Sequence, residues 1–329
     1  MLADSFGRIA TDLRVSLTDR CNLRCTYCMP PEGLAWLPQP ELLTDDELVR
    51  LIQIAVERLG ITEVRFTGGE PLLRRGLAGI IERTASLDPR PEISLTTNGI
   101  GLARTAGALR AAGLDRINVS LDTLRPDTFR ALAGRDRLGD VLAGLSAAGA
   151  TGLAPVKVNA VLIRGVNDDE AVPLVLFCLE RGYQLRFIEQ MPLDAQHGWR
   201  RGDMVTADEI LAVLSAEFSL TPDDPAARGS APAEAFLVDG GPERIGVIGS
   251  VTRPFCAACD RVRLTADGQV RNCLFATTES DLRGPQRSGA SDAEIATLWR
   301  RAVASKLPGH GINDPGFLQP ARPMSAIGG

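Results

Sequence analysis

Six of the chain's seven cysteines fall into two groups of three. Cys21, Cys25 and Cys28 have the spacing C-x3-C-x2-C. Three thiolates so close on one loop can hold three corners of an iron–sulfur cubane. With no fourth cysteine nearby, one iron keeps an open position. Open coordination suits chemistry rather than scaffolding, as at catalytic zinc sites. Zinc or a plain electron-transfer cluster is the alternative that the spacing alone leaves open. Two residues separate Cys256 from Cys259, and thirteen separate Cys259 from Cys273. This second trio again falls one ligand short of a structural zinc site. His197, His310 or Cys178 would have to complete one. Neither histidine has ligand spacing, and Cys178 lies in the apolar helical run 173–179, the setting of a buried thiol. The second trio therefore favours a three-cysteine cluster over zinc.

Other residues gain meaning from position. Arg261 and Arg263 alternate, so an extended segment points both guanidinia to one face. Forked donors of this kind suit phosphate oxygens. Lys157 interrupts the apolar run 154–162, a poor place for a charge without a partner. In Phe66-Thr67-Gly68-Gly69-Glu70-Pro71, consecutive glycines allow backbone to approach a ligand without a Cβ in the way. The bland counterpart is an ordinary turn. Net charge is −5, so no global basic field advertises nucleic acid. Lys157 and Lys306 are the only lysines among 36 basic residues, so the abundance of arginine carries no argument by itself.

The elements that must position these residues are legible in the first two-thirds of the chain. Short β-rich runs at 12–17, 63–67, 92–97, 116–121, 156–162 and 184–190 alternate with helical patterns. The helical patterns cover 45–59, 77–87, 102–112, 138–148 and 169–181. Thr44 and Glu47 have capping-box spacing, and Gly60 gives that helix a stop. Successive strand–helix–strand units imply an α/β fold with a parallel sheet, and six of them imply a partial (β/α)6 TIM-like barrel. A doubly wound sheet is the alternative. The Cys21 loop follows the first strand, so a barrel would present it at its C-terminal face.

Past residue 190 the rhythm fails. A helix over 206–218, an exposed loop over 221–235, the second cysteine segment, a helix over 293–305 and a Pro/Gly-rich tail ending in Gly328 and Gly329 are expected. Residues 1–200 then form the barrel with the first cluster, and 201–329 a C-terminal region that closes it and carries the second. The N-terminus lacks an apolar core of signal-peptide length. No stretch approaches ~18 apolar residues. A cytoplasmic chain with reduced thiols and no membrane contact is expected.

With Tyr27 directly before Cys28, the first trio resembles the signature of the radical S-adenosylmethionine (SAM) superfamily. The Gly68-Gly69-Glu70-Pro71 turn and Asn118-Val119-Ser120-Leu121-Asp122 extend the likeness. Cys259-Asp260-Arg261-Val262-Arg263-Leu264, flanked by Cys256 and Cys273, resembles the GTP 3′,8-cyclase family of molybdenum-cofactor biosynthesis. That likeness runs from Asp12-Leu13-Arg14 to the terminal glycines.

The resemblance implies two [4Fe-4S] clusters, SAM contacts at Tyr27, Gly69, Ser120 and Met191, and guanine on the second cluster's open iron. It implies GTP contacts at Arg14, Arg65, Thr96, Lys157, Arg261 and Arg263, with Val262 between the last two, and Arg186 facing the same cavity. It further implies that reductive cleavage of SAM gives a 5′-deoxyadenosyl radical, which takes the ribose 3′ hydrogen of GTP before C3′ joins C8. The terminal glycine pair would reach into the active site. The implied partners are GTP, an external one-electron donor and, for the product, cyclic pyranopterin monophosphate synthase; a homodimer is compatible with it.

Overall fold

The computed structural model describes residues 1–328, so Gly329 lies outside the described residues. Six strands alternate with helices as the sequence rhythm requires. They are β1 (Asp12–Ser16), β2 (Glu63–Thr67), β3 (Glu92–Thr97), β4 (Arg116–Ser120), β5 (Val156–Val161) and β6 (Gln184–Ile188). Each pairs in parallel with the next. Between them lie α1 (Asp45–Leu59), α2 (Leu77–Ala85), α3 (Leu102–Ala111), α4 (Pro126–Ala133), α5 (Leu138–Ala150) and α6 (Ala171–Glu180). The start of α1 is a capping box: Glu47 N–H donates to Thr44 Oγ1 at 3.2 Å, and Thr44 N–H donates to Glu47 Oε2 at 2.8 Å. Gly60 ends the helix with a φ of 83°. The helix α4, which begins at Pro126, is absent from the sequence expectation. Pro126 stands in the first turn, where its missing N–H is no loss.

Where the sequence rhythm fails, the sheet continues. After α7 (Ala207–Ser215) come β7 (Leu220–Pro222), β8 (Glu234–Val238) and β9 (Arg244–Ile248). β9 lies parallel to β6, with β8 and β7 antiparallel beyond it. The expected loop over 221–235 thus holds the end of β7, a short helix at Pro225–Arg228 and the start of β8. At the other edge, β10 (Arg261–Leu264) lies parallel to β1, with β11 (Gln269–Arg271) and β12 (Ser280–Asp281) antiparallel beyond it. Among the described residues, eight strands run parallel, and the C-terminal region supplies the outermost on each side. The last long helix, α8 (Asp292–Ala304), starts at the capping box of Ser291 and Glu294.

The strands divide by period two. Leu13, Val15, Val64, Phe66, Ile93, Leu95, Val119, Val158, Phe187, Val262 and Leu264 face the helices in one apolar core. Their neighbours Arg14, Arg65, Thr96, Ser120, Asn159, Arg186, Arg261 and Arg263 face inward and line a cavity. Barrels of this kind ordinarily fill the interior with branched apolar side chains. Here arginines and other polar side chains share an open interior with apolar ones such as Ile188, Ile248 and Phe255.

Candidate active site

β1 runs into the Cys21 loop at the C-terminal ends of the parallel strands. The stem of that loop rests on the turn after β2: Gly69 N–H donates to Thr18 O at 2.7 Å and Glu70 N–H to Arg20 O at 2.8 Å. A Cβ on Gly68 would lie 2.5 Å from Thr18 O, and one on Gly69 2.3 Å from Arg20 O. The two glycines are therefore required by backbone packed on backbone; Gly69 itself does not line the cavity. Glu70 is buried and accepts from Leu72 N–H (2.9 Å), Thr97 Oγ1 (2.7 Å) and Asn98 N–H (2.7 Å). It ties the turn to the end of β3, and burial pushes its carboxyl up to about 7.

Burial raises all three thiols of the first trio, Cys28 to about 12. At Cys25 the neighbouring Asp122, Cys28 and Cys21 add to the rise. Three thiolates there need a strongly cationic partner, and iron supplies one. The donor set and its surroundings fit a three-cysteine cluster. The Tyr27 hydroxyl donates to Asp122 Oδ2 at 2.6 Å, and Val161 N–H donates to Asp122 Oδ1 at 2.9 Å. Tyr27, Ser120, Asp122, Val161 and Met191 together line one end of the cavity.

The second trio stands at the other end of the strands. Cys256 and Cys259 precede β10, which runs parallel to β1, so they lie opposite the Cys21 loop. Cys273 follows β11, whose antiparallel course returns the chain to the same end. All three line the cavity. Burial raises the Cys256 thiol, although the backbone N–H of His310 donates to it. Burial also acts on Cys259, but the cations Arg261 and Lys306 outweigh it and lower that thiol. Among the described residues no group of three His, Cys, Asp or Glu side chains could hold one metal ion. A cubane takes its three thiolates at three separate irons. Cys178 is buried in the core and does not line the cavity.

Between the two ends stand the arginines. Register sets Arg14 beside Arg65 on one side and Arg263 on the other. Asp12 lies 3.7 Å from Arg14 and from Arg65. The Nε atoms of Arg14, Arg65 and Arg261 are buried without hydrogen-bond partners. Burial, reinforced by like charge from neighbouring arginines, lowers Arg14 and Arg65 and brings Arg186 to about 9, and burial opposed by Cys273 and Asp12 brings Arg263 to about 10. Unpartnered buried donors and crowded cations are both unfavourable. A polyanion entering the cavity would relieve both at once. Arg186 donates to Asn159 Oδ1 at 2.9 Å and to Asn118 Oδ1 at 2.8 Å, and Asn118 donates to Thr96 Oγ1 at 3.1 Å. Lys157 lines an adjoining cavity that shares Arg186 with the first. Burial and then Arg186, Arg116 and Arg65 lower it to about 8.

The side chain of Val262 turns into the apolar core, so between the two arginines it offers the cavity no side-chain contact. The C-terminal tail reaches the cavity. The Gly328 carbonyl accepts from Arg263 Nη1, and a Cβ on Gly328 would lie 2.6 Å from Thr67 Cγ2. The helix before it, Met324–Ile327, brings the Ser325 N–H to the Cys28 thiol. Arg322 anchors the tail on Asp267 at 2.6 Å and Glu279 at 3.0 Å. Sequence reasoning quoted Asp122 and Glu70 within motifs without giving either a role, and it weighed His310 as a ligand and set it aside for want of spacing. For the first two, a lone carboxylate at the end of a strand was the available signal. His310 reaches the trio from a distant segment, and no spacing encodes that.

Residues 15–178 match the family Radical SAM superfamily, and residues 183–312 match Molybdenum Cofactor Synthesis C. A GTP 3′,8-cyclase of Streptomyces coelicolor is 69% identical over 329 residues, covering 100% of this chain and 96% of that protein. One from a Mycobacterium species is 65% identical over 328 residues, covering 100% of this chain and 93% of that protein. Among solved structures, SuiB of Streptococcus suis shares the fold at a TM-score of 0.61 with 14% identity, over 93% of this chain and 68% of that one.

Proposed function

The chain belongs to the GTP 3′,8-cyclase family of radical SAM enzymes, and we propose that its cavity seats SAM at the Cys21 end and GTP at the Cys256 end. Cys21, Cys25 and Cys28 would hold one [4Fe-4S] cluster, and Cys256, Cys259 and Cys273 the other. When bound, the clusters supply reductive cleavage of SAM and a seat for guanine, and the overall reaction joins C3′ of GTP to C8, giving (8S)-3′,8-cyclo-7,8-dihydroguanosine 5′-triphosphate.

The chain's own part is binding and geometry. Tyr27, Ser120 and Met191, which line the cavity, would border SAM, and Gly69, expected as a further contact but standing behind the cavity wall, would serve by seating the Cys21 loop. Arg14, Arg65, Arg261 and Arg263 would take the triphosphate, with Thr96 and Lys157 contributing from β3 and β5. Held from both ends, the ribose C3′ would sit in contact with C5′ of SAM, as a near-attack arrangement demands. The tail, anchored through Arg322 and held by Arg263, would exclude water from a reactive intermediate. No acid–base pair is needed for hydrogen abstraction. The electron comes from outside, so a one-electron donor must dock, and the product passes to cyclic pyranopterin monophosphate synthase. Among the described residues no helix is long and apolar enough to cross a membrane.

The observation that carries this reading is the single cavity running from Tyr27 and Asp122 to the second cysteine trio, with guanidinium Nε atoms that lack hydrogen bonds between. Its test is anaerobic turnover of reconstituted protein with SAM, a strong reductant and GTP. The expected products are 5′-deoxyadenosine and an acid-convertible pterin precursor, both dependent on GTP. Deoxyadenosine formation indifferent to GTP would remove the nucleotide from the account.

A further inference from the structure

The chain has two lysines among its 36 basic residues, and one of them, Lys306, is buried against the second cysteine trio. It follows the C-terminal end of α8. Its ammonium donates to Arg261 O at 2.8 Å, to Cys259 Sγ at 3.2 Å and to Cys259 O at 3.3 Å. An ammonium has three N–H donors in tetrahedral array, and here three acceptors surround it. The planar fork of arginine could not reach all three from one point. In a chain otherwise so committed to arginine, this geometry gives lysine a reason to stand there.

The same stretch is tied to the other two cysteines of the trio. Arg8 joins this stretch to Cys256 from the N-terminal segment, donating to Cys256 O at 2.8 Å, Leu307 O at 2.6 Å and Pro308 O at 2.9 Å. Asn272, next to Cys273, donates to Ala302 O at 2.8 Å and Ser305 Oγ at 3.0 Å. The end of α8 is therefore pinned to all three cysteine segments, and Lys306 is held in place. Of its three acceptors, only the Cys259 sulfur can carry negative charge, as it would when ligating a cluster; without it the buried charge would have no counter-ion among them.

We propose that Lys306 sets the reduction potential of the second cluster through this fixed hydrogen bond to Cys259, which rests on the assignment of the trio to a cluster. A charged N–H donor draws electron density from the ligating sulfur and favours the more negative, reduced cluster. Lys306 is a positioning residue, since it acts through Cys259 and does not touch the reacting atoms.

The test is an anaerobic redox titration of the reconstituted two-cluster protein followed by electron paramagnetic resonance. The second cluster's wave is identified as the one lost in Cys273→Ala. Lys306→Met is expected to move that wave, and not the first cluster's, toward lower potential by at least a tenfold change in the reduction equilibrium, about 59 mV for one electron. Lys306→Gln retains a neutral donor and should shift it less, and it decides the matter if the methionine variant fails to fold. An unmoved wave in a variant that retains about eight irons would overturn the proposal. So would loss of the second cluster from both variants with the first intact, because Lys306 would then serve assembly alone. Wild-type protein with only about four irons, or with zinc at the trio, would overturn the underlying assignment instead.

Discussion

Replacing Arg263 with methionine sets folding stability and substrate affinity against each other. In the ligand-free protein the buried guanidinium is held at about 10 instead of 12.5, a depression worth roughly 3 kcal/mol at 1.36 kcal/mol per unit. A base whose folded-state value is depressed destabilises the fold while it is protonated. The effect is therefore present in full at pH 7 and fades only above about 10. Methionine removes the charge and keeps an apolar stem of similar length. The hydrogen bond to Gly328 O disappears, which costs about 1 kcal/mol. The net is a gain of roughly 2 kcal/mol, a rise in Tm of about 3 °C at the usual unfolding entropy per residue. The proposed phosphate contact is lost in the same variant. At about 1.5–3 kcal/mol for a charge-assisted hydrogen bond, GTP affinity should fall about 10- to 150-fold. Differential scanning calorimetry and equilibrium dialysis of the anaerobically reconstituted variant measure both. A lower Tm with unchanged GTP affinity would refute the view of Arg263 as a group held at a folding disadvantage for a polyanion.

Gly69→Ala should displace the Cys21 loop, because its Cβ would fall 2.3 Å from Arg20 O. Loss of about four irons, the content of one cubane, and of SAM cleavage is expected; normal iron and cleavage would contradict the packing argument. Cys273→Ala should spare reductive SAM cleavage while abolishing GTP cyclisation, and equal loss of both would make the second site structural. Lys157 is charged below about 8 in the free protein. GTP affinity should weaken as pH rises through that value, and Lys157→Arg should carry the decline upward; coincident pH profiles would exclude Lys157 from the GTP site.

The six strand–helix units and both cysteine trios were legible because each is written locally, in hydrophobic period or in spacing. The C-terminal strands were not. The pairing of Arg261–Leu264 with β1 joins residues some 250 positions apart, and nothing within the segment encodes its partner. The region after Leu220 reads as loop because its Pro, Asp and Ala residues outweigh the short strand pattern around them. Gly68 and Gly69 were recognised as points of close approach, but the neighbour they meet is the cysteine loop's own backbone. Lys306 carried a signal in its rarity, yet only the packing of α8 against Cys259 gave that rarity a meaning.

The central claim is that one cavity brings C5′ of SAM to C3′ of GTP. GTP deuterated at C3′, turned over anaerobically with unlabelled SAM, tests it most directly by mass spectrometry of the 5′-deoxyadenosine formed. The account requires deuterium in that product; deoxyadenosine formed at the full GTP-dependent rate without it would contradict the shared cavity.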